Sequence, residues 1–141
     1  MKIAIINGPN LNLLGTREPE IYGHRTFVQF LDDLRKKYVQ VEFDYFQTNI
    51  EGELIDALQK VGFSSDGIIL NPGGYTHTSV AIGDAIAAIK SPVIEVHISN
   101  VHAREEFRKI SLVSAKCKGT IAGLGLKGYE LALEYFLGPK A

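Results

Sequence analysis

At 141 residues the chain is long enough for one domain to bury roughly 70% of its unfolded surface, so a self-sufficient core needs no disulfide or metal staple. Its 15 Lys+Arg against 16 Asp+Glu leave no overall field to draw nucleic acid or an anionic membrane, and any cationic site must be local. One cysteine, Cys117, excludes an intrachain disulfide; the apolar run after Lys2 is too short for a signal peptide, and no stretch nears the ~20 apolar residues of a membrane span, so a cytoplasmic protein is expected.

The first element is "KIAII", Lys2 to Ile6, short, apolar and β-branched as a strand covered on both faces should be. It opens into "NGPNLNLLGTREPEIYG", Asn7 to Gly23, seventeen residues without helical or strand periodicity. Phe27, Phe30, Leu31, Leu34 and Tyr38 then keep the three-to-four spacing of a helix. "VQVEFDYF" alternates, with Val39, Val41, Phe43 and Tyr45 on one face, which suits a half-exposed edge strand. A second helical pattern runs through Leu54, Ile55, Leu58 and Val61, and a second apolar strand follows in "GIIL", Gly67 to Leu70. Ile82, Ile86 and Ile89 mark the next helix, "VIEV" (Val93 to Val96) the next strand, and "GTIAG" (Gly119 to Gly123) a weaker fifth strand. Tyr129, Leu133, Phe136 and Leu137 close the series as a helix.

Strands alternating with helices of this length predict crossovers in a parallel sheet. The expected architecture is therefore α/β, a flavodoxin-like three-layer sandwich over residues 1–141 with a five-stranded parallel sheet in the order 2-1-3-4-5, which puts the alternating strand at an edge. In such a sheet ligands bind beyond the carboxyl ends of the strands, at the switch point between the first and third. That rule selects the opening loop, "NPGGYTHTS" (Asn71 to Ser79) and "HISNVHAREEFR" (His97 to Arg108), and it predicts that their Asn, Arg, Tyr, His and Ser side chains share one crevice.

The opening loop exceeds the ~2–6 residues usual for a βα connection. It is either a surface excursion stiffened by Pro9 and Pro19, with Asn10 and Asn12 making turn bonds, or a lid over about residues 15–25 hinged at Gly15 and Gly23. His97 follows Glu95 by two, so on a strand both point to one face and the carboxylate can orient the imidazole, as a general acid requires. A structural histidine capped by a neighbouring acid has the same spacing. Arg104 and Arg108 share a face if "AREEFR" is helical, turned either to the crevice or to solvent beside Glu105. Asp84 stands between Val80 and Ala88 on a rather apolar helix surface, where it faces another subunit or is simply a surface charge.

Several motifs lead nowhere. "GLGLKG", Gly123 to Gly128, has the glycine spacing of a dinucleotide fingerprint but belongs to the last strand, with no acid ~20 residues on; a tight turn and close helix packing explain it better. His97 and His102 are five apart and Cys117 is alone, so no metal site is expected.

Taken together, "NGPNLNLLGTREPEIYG", "DGIILNPGGYTHTSVAIGDAI", "VIEVHISNVHAREEFR" and "AGLGLKGYELAL" closely resemble type II 3-dehydroquinate dehydratases, over essentially the whole chain and in family order. Gly74 and Gly83 stand where many relatives carry Ala and Arg, and Ile110 where they often have His, none at a position assigned to chemistry. The resemblance implies anti elimination of water from 3-dehydroquinate to 3-dehydroshikimate through an enolate, without cofactor. It implies Tyr22 as the base, Arg17 as the cation that lowers its pKa, Asn10 as the holder of a water at the enolate oxygen, and His97, oriented by Glu95, as the acid. Asn71, Ile98 and Ser99 match the substrate-carboxylate site, His77 and Arg108 contact ring hydroxyls, Arg104 helps close the lid, and Asp84 reaches a neighbour's site in a dodecamer of trimers. The type I enzyme's barrel needs ~250 residues and does not fit. The rival from another class is a non-catalytic flavodoxin-like module that binds FMN or a protein partner.

Overall fold

The apolar segments assemble into one parallel sheet: β1 (Lys2–Asn7), β2 (Glu42–Gln47), β3 (Gly67–Asn71), β4 (Val93–His97) and β5 (Gly119–Ala122), ordered β2-β1-β3-β4-β5. This computed structural model describes residues 1–16, 19–22 and 24–139, the side chains of Ile21 and Tyr22 excepted. The helices are α1 (Pro19–Tyr22), α2 (Phe27–Lys37), α3 (Glu51–Val61), α4 (Val80–Ala88) and α5 (Lys127–Leu137).

The two periodicities read from the sequence divide the core into two layers. Ile3 and Ile5 of β1 face α2 and α5 through Phe27, Phe30, Leu31, Tyr129 and Leu133, whereas Ala4 and Ile6 face α3 and α4 through Leu54, Leu58, Ile82 and Ile86. Every residue of β3 and β4 is buried, which is why those strands carry almost no polar alternation. α2 starts in a capping box: Thr26 Oγ1 accepts from the Gln29 amide at 3.2 Å and Gln29 Oε1 accepts from the Thr26 amide at 3.1 Å. Its other end is tied to α5, where Glu130 accepts from Tyr38 Oη at 2.7 Å and pairs with Lys37 and with Lys127.

Two local expectations need correction. Val39 does not belong to the edge strand: β2 begins at Glu42, and Val39 is 82% exposed in the turn that reverses the chain after α2. The alternation runs past the strand because nothing in it marks where pairing with β1 starts. The opening loop is also not wholly irregular, since it holds a 3-10 turn at Leu11–Leu13 and the four-residue α1, both too short to leave a periodic trace.

The carboxyl ends of β1 and β3 are locked together. Asn7 and Asn71 lie opposite each other in the register, and the Gly8 amide donates to the Asn71 carbonyl at 2.7 Å. A Cβ on Gly8 would stand 2.5 Å from the Pro72 carbonyl oxygen, so only glycine lets the two loops leave the sheet this close. Among the described residues no helix is long and apolar enough to cross a membrane.

Candidate active site

Beyond those strand ends lies a cavity of about 130 Å³ whose lining includes Asn10, Asn71, His77, His97, Ile98, Ser99, Arg104 and Arg108. Eight of the twelve residues singled out in the sequence thus meet in one place, drawn from the loops after β1, β3 and β4. Glu95 stands directly behind His97, fully buried. Asp84 is exposed on α4 and is not among the cavity's lining residues. Arg17 and the side chain of Tyr22 lie outside the described residues.

After β1 the chain turns through Asn10, which adopts φ 71° and ψ −4°, the left-handed region that an asparagine enters more readily than most residues. Its amide donates to Asn49 Oδ1 at 3.0 Å, and the Asn49 carbonyl accepts from Tyr75 Oη at 2.9 Å. Asn49, between β2 and α3, therefore ties the loop after β1 to the loop after β3. Asn71 Oδ1 accepts the Gly73 amide at 3.1 Å and so shapes the 3-10 turn Gly73–His77 that carries His77. His77 Nδ1 lies 2.7 Å from the Ile110 carbonyl, and its ring stands 6.4 Å from that of His97, nearly parallel to it.

His97 Nε2 is 2.5 Å from Glu95 Oε2. Hydroxyls surround that carboxylate: Thr76 Oγ1 donates to Oε2 at 3.0 Å, Ser111 Oγ reaches both oxygens at 3.1 Å, and Thr120 Oγ1 reaches Oε1 at 3.4 Å. Burial pushes the Glu95 carboxyl up, but the hydrogen bond and charge of His97, with Thr76 and Ser111, outweigh it and hold the group below its ordinary value. An anion fixed in this way sets the imidazole's orientation. With Nε2 engaged, Nδ1 is the ring nitrogen left for chemistry.

Arg104 and Arg108 do not share one helix. Val101–Ala103 and Glu106–Lys109 are separate 3-10 turns, and Arg104 is extended between them. Both still line the cavity, and both also approach Glu105, with Arg108 Nε donating to Oε2 at 3.0 Å and Arg104 Nε 3.9 Å from Oε1. The two orientations weighed from sequence are thus combined. Arg104 Nη1 further donates to Ser99 Oγ at 3.3 Å.

The "GLGLKG" glycines answer to backbone geometry: Gly123 and Gly125 have φ of 89° and 63°. Among the described residues no three His, Cys, Asp or Glu side chains gather as metal ligands. Cys117 is unsuited to nucleophilic work, because burial and the nearby Glu95 charge push its thiol up to about 12. The hydroxyls around Glu95, and Asn49 beneath Asn10, escaped the sequence reading. Thr76, Ser111 and Thr120 come from three separate segments, and only the fold shows that they surround one carboxylate.

A cationic, amide-rich cavity with a buried carboxylate–imidazole pair can hold a small anionic polyol and deliver a proton to it. Residues 1–137 match the family model described as "Dehydroquinase class II". The 3-dehydroquinate dehydratase of Bacillus licheniformis is 52% identical over 141 aligned positions, covering 96% of this chain and 94% of that protein. That of Campylobacter jejuni is 55% identical over 135, covering 94% and 85%. The crystal structure of type II dehydroquinase from Butyrivibrio crossotus superposes with a TM-score of 0.92 at 48% identity, over 98% of both chains. Nothing in these comparisons supports the flavin- or partner-binding alternative. With a matching family model over nearly its full length and relatives above half identity, the chain belongs to the class II dehydroquinase family.

Proposed function

We propose that the protein is a 3-dehydroquinate dehydratase, a hydro-lyase that eliminates water from 3-dehydroquinate to give 3-dehydroshikimate in the shikimate pathway. The observation that carries this reading is the meeting of Asn10, Asn71, His77 and the His97–Glu95 pair at one cavity in a member of this family. Residues 1–141 act as one catalytic domain, with about residues 15–25 as its lid.

Tyr22 removes the proton beside the ketone. A free phenol has a pKa of about 10, and Arg17 brings it into working range by stabilising the phenolate. The electrons move to the carbonyl oxygen, and the enolate is stabilised through a water held by Asn10. His97 protonates the departing hydroxyl on the opposite face, with Glu95 aiming the ring. Collapse of the enolate forms the carbon–carbon double bond and releases water. Tyr22 then carries a proton and His97 lacks one, and exchange with solvent restores both.

Asn71 with the backbone of Ile98 and Ser99 holds the substrate carboxylate, while His77 and Arg108 contact the ring hydroxyls and Arg104 supports lid closure. Asp84, exposed on α4, serves a neighbouring subunit's site in a homododecamer built from trimers, and the enzyme works in the cytoplasm. An absorbance assay for the conjugated enone, run on purified protein with 3-dehydroquinate, tests the function directly. Enone formation that survives borohydride treatment is expected; absence of product, or a lysine adduct trapped by borohydride, would reject the proposed reaction or its mechanism respectively.

A further inference from the structure

Beneath the cavity, three polar side chains sit in an otherwise apolar layer: Asn7 and Tyr129 are fully buried and Asn71 is 3% exposed. Tyr129, on α5, inserts its hydroxyl between the asparagines that end β1 and β3. Its oxygen is 2.8 Å from Asn7 Oδ1 and 2.9 Å from Asn71 Nδ2. The ring needs no hydroxyl for packing, since it rests against Phe27 and Phe30 at centroid distances of 4.9 and 5.9 Å, contacts that phenylalanine would also make. A buried hydroxyl is tolerated only when fully paired, so this oxygen is held for its hydrogen bonds.

The direction of those bonds is determined. The Gly73 amide can only donate, so the Asn71 atom facing it at 3.1 Å is Oδ1, and Nδ2 must turn toward Tyr129. Tyr129 Oη therefore accepts from Asn71 and spends its single proton on Asn7 Oδ1. A reversed Asn71 amide would set donor against donor at Gly73.

We propose that Tyr129 is a positioning residue for substrate binding: with Asn7 behind it, the phenol fixes the Asn71 amide so that one remaining N–H is presented to the substrate carboxylate. This rests on the assignment of Asn71 to that carboxylate. Neither Tyr129 nor Asn7 lines the cavity, so any effect they have on ligand affinity passes through Asn71. Without the phenol oxygen, Asn71 Nδ2 loses its buried acceptor and the amide can rotate toward water in the cavity. Burial holds the Tyr129 phenol far above its ordinary pKa, which keeps its proton in place across the working pH range.

The test is a double-mutant cycle read by the dissociation constant of quinate, which keeps the substrate's carboxylate and ring hydroxyls but has no ketone, and by the division between KM and kcat. Tyr129→Phe is expected to weaken quinate roughly tenfold, one buried hydrogen bond's worth, with KM rising by a similar factor and kcat changing less. In an Asn71→Ala background the same substitution should have no further effect. Asn7→Ala frees the phenol's proton to turn on Asn71, and a weaker loss of quinate affinity in the same direction is expected; it keeps the test open if Tyr129→Phe does not fold. Weak binding by Asn71→Ala alongside wild-type affinity in folded Tyr129→Phe and Asn7→Ala would overturn the proposal. So would equal losses from Tyr129→Phe in both backgrounds. Wild-type quinate affinity in Asn71→Ala would instead overturn the carboxylate assignment, and the proposal with it.

Discussion

His97 Nε2 and Glu95 Oε2 are 2.5 Å apart in a buried pair, and the carboxylate's remaining capacity is taken up by Thr76, Ser111 and Thr120. Glu95→Gln keeps a hydrogen-bonding group beside the ring but removes the negative charge paired with it. We expect kcat to fall about 10²-fold, within the usual worth of a positioned acid, while KM moves little. Steady-state kinetics decide it; a rise in KM with unchanged kcat would make Glu95 a binding element only.

Tyr22→Phe should lower turnover by roughly 10²–10⁴-fold, as expected for a lost general base, and leave quinate binding measurable. On the proposed mechanism Arg17→Ala removes the cation that stabilises the phenolate, so the basic requirement in the pH–rate profile should move upward. Calorimetric binding and the kcat–pH curve are the two readouts. A Tyr22→Phe enzyme that turns over normally once saturated would remove the phenol from the chemistry.

Asn49 holds Asn10 in its left-handed conformation through one hydrogen bond to the backbone amide. Asn49→Ala should lower kcat/KM by about fivefold, since an exposed hydrogen bond contributes modestly. Asn49→Asp retains an acceptor at the same place and should restore most of the loss. Equal defects in both variants would show that the amide contact is not what matters.

Acid stability should be shaped by Glu130. Hydrogen bonds from Lys37 and Tyr38, reinforced by Lys127, hold its carboxyl down to about 2 against an ordinary 4.5. A carboxyl lowered on folding stabilises the native state above its unfolded value, and that contribution is lost as pH falls toward the folded one. Wild-type Tm should therefore drop across the window from about 4.5 to about 2, while Glu130→Gln starts lower at neutral pH and declines less steeply. Parallel Tm curves for the two proteins would mean that the cluster carries no proton linkage.

Legibility in the sequence followed the reach of each signal. Ile3 to Ile6, Gly67 to Leu70 and Val93 to Val96 read as buried strands because burial on both faces leaves unbroken apolar runs, and the helices read from their spacing. The crevice followed from topology, because loops at one end of a parallel sheet must converge. Val39 was misplaced because periodicity carries no punctuation at a strand's start. Thr76, Ser111, Thr120 and Asn49 were illegible for a different reason. Hydroxyls and amides are common on surfaces, and only three-dimensional neighbourhood separates a carboxylate's donors from solvated side chains.

The pairing of Asn7 with Asn71 across neighbouring strands has a consequence for assembly of the sheet. Slipping β1 by one residue would turn Asn7 toward the opposite layer, among Leu54 and Ile82, and strand the phenol of Tyr129 without its acceptor. A frame-shifted chain is therefore penalised at the same spot that would have made it inactive, and the amide–phenol–amide plug works as a key that admits only one alignment of the two central strands.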